Sequence, residues 1–209
     1  MIKDLPKKIP IFPLKGVIFF PETNLPLNIF EDRYLNMVED TLNKNGLLGM
    51  IQSKEINGDV FHVGCLGKII KHERTSDGRI LINLKGLTRF KIDQEVKNDK
   101  PYREFLVNYD VFKDDMHPKN NTIENDNLSN LINYSKKYFD QIGIQINWSE
   151  LSKLSISQQI YTLAMISPFS NGEKQKLLEI VKLEDMVNTL KTITKFTFYE
   201  DSSENTTLQ

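Results

Sequence analysis

The 209-residue sequence predicts an α+β chain: a β domain with one inserted helix, followed by a C-terminal helical bundle. Three observations lead there. From Ile9 to about Phe112, short runs rich in Val, Ile and Phe alternate with Gly and Pro, the pattern of strands and turns. One stretch inside that region, IFEDRYLNMVEDTLNKNG, instead carries its apolar residues at helical spacing. Beyond Asn127 the apolar period becomes three and four residues and remains so through Ile193. The expected division is 1–115 for the β domain, 116–200 for the bundle and 201–209 for a flexible tail.

Each element has a local reason. In FPLKGVIFFPETNLPLNIFEDRY, from Phe12 to Tyr34, Pro13, Pro21 and Pro26 each remove a backbone donor and fix φ. Such residues suit strand ends, sheet edges and bulges, so the segment is expected to wrap a barrel rim. The charge that follows begins the inserted helix. Tyr34, Met37, Val38 and Leu42 share one face, Glu31 and Asp32 sit near the positive end of the helix dipole, and Asn45-Gly46 offers a C-cap. Downstream, Ser76-Asp77-Gly78 separates HVGCLGKIIKHERT from RILINLKGLTRFKI, and Asp-Gly supplies the positive φ that a tight hairpin turn needs. The stretch KDDMHPKNNTIENDN, from Lys113 to Asn127, lacks apolar periodicity and reads as a linker or solvated loop.

The helical half then unfolds in order. Leu128, Leu131, Ile132, Ser135, Phe139 and Ile142 make one face that ends near Gly143. Ile156, Ile160, Leu163 and Ala164 make another before Pro168. Ser170 and Glu173 form a capping box ahead of Leu177, Leu178 and Val181, and Leu183, Met186, Val187, Leu190 and Ile193 complete a last helix.

Composition narrows the function classes. Lys and Arg total 27 against 28 Asp and Glu, a net charge of −1, so no global field draws the protein to nucleic acid or anionic lipid. A single cysteine, Cys65, excludes an internal disulfide and multi-cysteine metal sites, and it is read as a small buried hydrophobe in a reducing compartment. The opening MIKDLPKKIP has no apolar run behind its charge, and no uncharged stretch approaches the roughly 18 residues of a membrane span, so a cytoplasmic location is expected.

The order of motifs resembles the N-terminal, substrate-binding domain of Lon proteases, the peptidase S16 family. The matching residues are Phe20-Pro21, Leu25-Pro26-Leu27, and Phe30, Glu31, Arg33 and Tyr34; then Val63-Gly64, Asp77-Gly78-Arg79, and Gly86, Arg89 and Phe90. A further echo is Glu173, Lys174, Gln175, Leu177, Leu178 and Glu179. The resemblance spans roughly residues 9 to 198, and departs where the family commonly has an arginine and this chain has Glu184-Asp185-Met186. It implies a PUA-like β pseudo-barrel followed by a helical bundle, with no bound metal or cofactor. It implies a protein-binding module for unfolded or extended polypeptide, taken in a groove between barrel and bundle, or an adaptor for a full-length Lon protease. Phe20, Leu25, Arg33, Tyr34 and Arg89 are the residues that the resemblance nominates for peptide contact.

The sequence carries no recognisable catalytic pattern, so the chain is expected not to be an enzyme. No G-x-x-x-x-G-K-[ST] occurs, and no Ser-Lys protease domain follows the bundle. His62 and Cys65 resemble half a zinc site with no second pair to complete it, and His117 reads as a solvated side chain. One local charge excess stands out: between Lys68 and Lys91, seven basic residues (Lys68, Lys71, Arg74, Arg79, Lys85, Arg89, Lys91) face two acidic ones (Glu73, Asp77). The alternative function is therefore an RNA-binding PUA-like module using the stretch 68–91, although charged residues on the wet face of a strand explain the same pattern.

Overall fold

A computed structural model of the chain describes residues 5–54, 58–116, 123 and 125–204, with the side chains of 125 and 198–204 excepted. The chain forms two compact units, Met1–Pro118 with Ser170–Leu178, and Lys119–Phe169 with Glu179–Gln209.

The first unit holds six strands: β1 (Lys8–Leu14), β2 (Asn24–Ile29), β3 (Leu47–Ser53), β4 (Val60–Arg74), β5 (Ile80–Val96) and β6 (Glu104–Asn108). Their order is β2-β5-β4-β3-β1-β6, and β6 returns to pair with β5. Five strands therefore close into a ring, and β2 lies along the first half of β5. Only β1 and β3 run parallel among these pairings. The core inside includes Ile9, Ile11, Leu47, Leu66, Phe90, Phe105 and Val107. The β4–β5 hairpin turns where Asp-Gly predicts it: Gly78 takes φ +88°, and the Thr75 N–H donates to the Arg79 carbonyl at 2.9 Å.

Helix α1 (Asp32–Leu42) buries Tyr34, Met37, Val38 and Thr41, while Leu42 stays half-buried. It ends on Gly46, whose φ of +67° lets its N–H reach back to the Thr41 carbonyl at 2.9 Å.

The motif glycines are there because neighbouring groups occupy the space of a side chain. A Cβ on Gly86 would lie 2.0 Å from the Phe20 carbonyl oxygen, and one on Gly64 would meet the Met50 carbonyl at 2.4 Å and the Phe90 ring at 2.7 Å. Phe20-Pro21 thus turns directly over Gly86, with the Glu22 N–H donating to the Gly86 carbonyl (3.0 Å) and the Gly86 N–H to the Thr23 carbonyl (2.9 Å). In an antiparallel ladder, hydrogen-bonded and non-bonded pairs alternate. From the Gly86 anchor and the register Asn24–Lys85 to Ile29–Ile80, the backbone groups of Asn24, Pro26 and Asn28 point away from β5. Pro26 therefore leaves a missing donor at the middle of the outer edge of β2.

The stretch Lys113–Asn127, expected as linker or solvated loop, is structured in its first part. Asp110–Met116 is a 3-10 segment that buries Phe112 at 2% exposure. Asp115 accepts three hydrogen bonds from Arg89: from Nη2 at 2.7 Å, Nε at 2.9 Å and the backbone N–H at 2.9 Å. Both side chains are buried, at 2% and 6% exposure, and the guanidinium lies 4.5 Å from the centre of the Phe112 ring. A tertiary ion pair, invisible to apolar periodicity, orders this segment. His117 and the rest of the expected linker through 122 lie outside the described residues.

Helix α5 (Asn171–Glu179), grouped with the bundle by sequence, contributes Asn171–Leu178 to the first unit. The expected capping box forms between Ser170 and Glu173. Buried amides then tie the helix to the barrel: Gln52 Nε2 donates to the Asn171 carbonyl at 2.8 Å, and Gln175 Nε2 to the Val63 carbonyl at 3.2 Å. Lys174 Nζ donates to the Gly16 carbonyl at 2.9 Å, and Arg89 Nη1 to the Leu178 carbonyl at 3.2 Å.

The second unit contains α2 (Asn125–Gln141), the short α3 (Trp148–Leu151), α4 (Ile156–Ile166) and α6 (Leu183–Glu204). Leu131, Ser135, Tyr138 and Phe139 are buried from α2, and Tyr138 stacks on Phe169 at 6.2 Å. Helix α4 starts on a second capping box, Ser155 with Gln158. Leu183, Met186, Val187, Leu190 and Ile193 form the buried face of α6 as expected. That helix runs through Glu204, inside the segment expected to be a flexible tail, and 205–209 lie outside the described residues.

Two stability predictions follow from these contacts. Gly86→Ala should cost about 3 kcal/mol in urea unfolding, because backbone on both sides prevents relief of the clash. Arg89→Met and Asp115→Leu should each cost about 3–5 kcal/mol, whereas the double variant should recover a large part of the loss because no unpaired charge remains buried. A double variant no more stable than either single one would show that the pair is not what holds the segment.

Candidate functional site

The β1–β6 ladder stops at a definable place. Ile9 faces Phe105, the Ile11 N–H donates to the Arg103 carbonyl at 3.0 Å, and the Val107 N–H donates to the Lys7 carbonyl at 2.8 Å. Beyond that bond no further pair forms: residues 99–102 make a bend ahead of β6, and Pro13 and Pro101, which line the same opening, have no N–H to give. β1 runs on to Leu14 beside β3, with Pro13 facing Ile51, so the wall opens on its β6 side.

A cleft of about 480 Å³ lies there. Ile11, Pro13, Tyr34, Pro101 and Tyr102 give it apolar and ring surfaces, and Arg33, Arg103, Ser53 and Asp59 give it polar ones. The lining thus mixes polar and apolar surface, with the polar groups at least as prominent as the rings.

Both arginines of the cleft are already engaged. Arg103 clamps Glu95 through Nε and Nη2, both at 2.7 Å, and Nη1 donates to the Gly58 carbonyl at 2.9 Å. Arg33 holds Glu31 through Nε at 3.0 Å and Nη2 at 2.7 Å, while its guanidinium lies 4.6 Å from the centre of the Tyr34 ring. The Tyr102 hydroxyl donates to Asp40 at 2.5 Å and accepts from Lys100 at 2.8 Å. Burial, followed for Tyr102 by that bond to Asp40, pushes both phenols above their ordinary pKa; the Arg33 guanidinium only partly opposes this at Tyr34. Both therefore remain O–H donors at neutral pH. Among the described residues the Tyr34 hydroxyl has no hydrogen-bond partner.

Of the five residues nominated from sequence, two meet here. Arg33 and Tyr34 start α1 and line the cleft, Arg33 exposed and Tyr34 nearly as buried as Phe20 and Arg89, at 5%. Leu25 is elsewhere, half-buried on β2 opposite Leu84. Phe20 and Arg89 have almost no surface to offer a ligand, at 0% and 2% exposure: Phe20 sits under the turn over Gly86, and Arg89 is spent on Asp115. Pro101, Tyr102 and Arg103 were missed. A proline followed by an aromatic was the available signal, but only the fold brings it to the same opening as Pro13.

Three of the seven basic residues of the stretch 68–91 are paired with carboxylates among the described residues. Arg74 pairs with Glu39, Arg79 with Asp77, and Arg89 with Asp115. Cys65 is fully buried and His62 exposed. Among the described residues no group of three or more His, Cys, Asp or Glu side chains is placed to hold a metal, and no helix is long and apolar enough to cross a membrane.

Comparison with known proteins agrees with this architecture. Residues 8–195 match the family described as the ATP-dependent protease La (LON) substrate-binding domain. The chain is 23% identical over 206 residues to a Lon protease of Dictyoglomus thermophilum, covering 94% of this chain and 24% of that protein. It is 29% identical over 107 residues to one of Desulfosudis oleivorans, covering 48% of this chain and 13% of that protein. It thus spans about a quarter or less of the length of these curated relatives. Among solved structures it resembles a Lon N-terminal domain protein from Xanthomonas campestris, with TM-score 0.63, 20% identity, and coverage of 88% of this chain and 96% of that one. It also resembles the N-terminal domain of a Mycobacterium avium complex Lon protease, with TM-score 0.63, 17% identity, and coverage of 90% and 98%. The fold is accordingly α+β, a PUA-like β pseudo-barrel with a C-terminal part of several helices. With the family match extending over nearly the whole chain, the protein belongs to the Lon substrate-binding domain family.

Proposed function

We propose that this chain is a recognition module that engages exposed or extended segments of polypeptide and supplies no catalytic group of its own. The family's description as substrate-binding supports the class of ligand. The observation that carries the reading is the cleft at the end of the β1–β6 ladder, where Arg33 and Tyr34 meet Pro101 and Tyr102 across an opening in the barrel wall. Its surfaces suit side chains that a folded protein hides and an unfolded one shows. Within that reading Arg33 and Tyr34 are the contact residues, Leu25 is a peripheral one on β2, and Phe20 and Arg89 support the barrel. The module serves proteolysis as the recognition part of a Lon protease or as an adaptor that delivers polypeptide to one. The buried thiol of Cys65 suits a reducing, cytoplasmic setting.

A fluorescently labelled protein held unfolded by reduction and carboxymethylation should bind saturably in the micromolar range, while its native form should not compete. Arg33→Ala should weaken this binding by about fivefold, or roughly 1 kcal/mol. Fluorescence anisotropy reads both. Absence of saturable binding to any unfolded protein, together with retention of RNA at low salt, would overturn the reading.

A further inference from the structure

Resting on the polypeptide-binding reading, we propose that the cleft selects an extended segment by two features at once: a large apolar side chain and a free backbone N–H beside it. The chain is thereby taken up at ordinary residues and refused where a proline or N-methylated residue stands at the reading position.

The argument begins with the ladder. Hydrogen bonds at Lys7 and Ile11 show that the odd-numbered residues of β1 direct their backbone groups toward β6. Pro13 continues that row, so its carbonyl points to the side where the ladder has stopped, and it brings no N–H. Pro101, which lines the same opening, also lacks one. A backbone entering this gap meets an acceptor with no competing main-chain donor from either proline, so the complementary group is its own N–H. This is strand addition reduced to its accepting half. The Tyr34 hydroxyl, lining the same cleft and without a partner among the described residues, provides the donor for the segment's carbonyl.

The side-chain preference comes from the walls. Ile11, the two proline rings, Tyr34 and Tyr102 supply the apolar part of a cleft that is open to solvent and shared with polar groups, and a volume of about 480 Å³ admits a large residue with the backbone on either side. A phosphate or other small anion is not the complement, because both arginines of the cleft already hold carboxylates, Arg33 on Glu31 and Arg103 on Glu95.

The test uses the full chain and a series of nine-residue labelled peptides, each with one central phenylalanine in a Ser/Thr/Ala context, read by fluorescence anisotropy. Replacing the central phenylalanine with alanine should weaken binding about tenfold or more. In a scan of single N-methyl groups along the peptide, one or two positions next to the anchor should lose about fivefold and the others should be unchanged. Tyr34→Phe should lose a similar factor for the parent peptide, with an unfolding transition close to that of the unaltered protein. A peptide carrying benzoylphenylalanine at the anchor should crosslink to the segments containing Tyr34 or Pro101–Arg103. The proposal is overturned if alanine serves as well as phenylalanine, if no N-methyl position matters, or if crosslinks fall elsewhere. Should any of these occur while the unfolded protein still binds, the polypeptide-binding reading stands without it; if the unfolded protein also fails to bind, both fall.

Discussion

A buried guanidinium cannot be left without a counter-ion, and Arg89 is buried. Its charge and the carboxylate of Asp115 are both withdrawn from water, and the energetic penalty of separating them is what orders the chain after β6. The segment Asp110–Met116 contributes no strand and only a distorted turn of helix, yet it is held against β5 because Asp115 must be there. The same guanidinium reaches the Leu178 carbonyl, near the end of α5. One side chain therefore joins three segments that lie far apart in sequence. Cys65, at the adjacent position on β4, has its thiol pushed well above the usual range by burial and then by the Asp115 charge, which keeps it an inert part of the packing.

Around this centre the barrel uses absent groups as deliberately as present ones. Gly86 and Gly64 lack side chains where the Phe20 carbonyl and the Phe90 ring need room. Prolines lack donors where pairing has to end. Pro26 does so along the outer edge of β2, and Pro13 with Pro101 does so inside the wall, where the result is an opening instead of a blunted margin. A strand cannot slip past such points without losing its register, so the positions that shape the cleft also fix the ring around it.

Much of this was legible in the residue order. The hairpin at Asp77-Gly78, the apolar face of α1, the capping box at Ser170 and the buried face of α6 are all local patterns, and each forms where its spacing indicates. The motifs that identified the family were legible as a set, but not the reason for each. Gly86 is a glycine on account of Phe20, 66 positions earlier by residue number, and Gln175 earns its place in α5 by bonding Val63 on the barrel. The cleft was half visible: Arg33 and Tyr34 stand in a recognisable run, whereas Pro101 and Tyr102 acquire meaning only when β6 is laid against β1. The burial of Arg89 was hidden for the same reason, because its partner sits in a polar stretch that composition alone assigns to solvent.

The position of α5 bears on how the molecule comes into being. The amides of Gln52 and Gln175, joined across 123 residues of chain, belong to one compact unit, but a ribosome delivers the second long after the first. At ordinary translation speeds, roughly 5–20 residues per second, the strands emerge several seconds before the helix that completes them. During that interval the nascent unit has every strand and still lacks α5, so vectorial synthesis leaves the buried amide of Gln52 without its helix partners until the chain has passed Gln175.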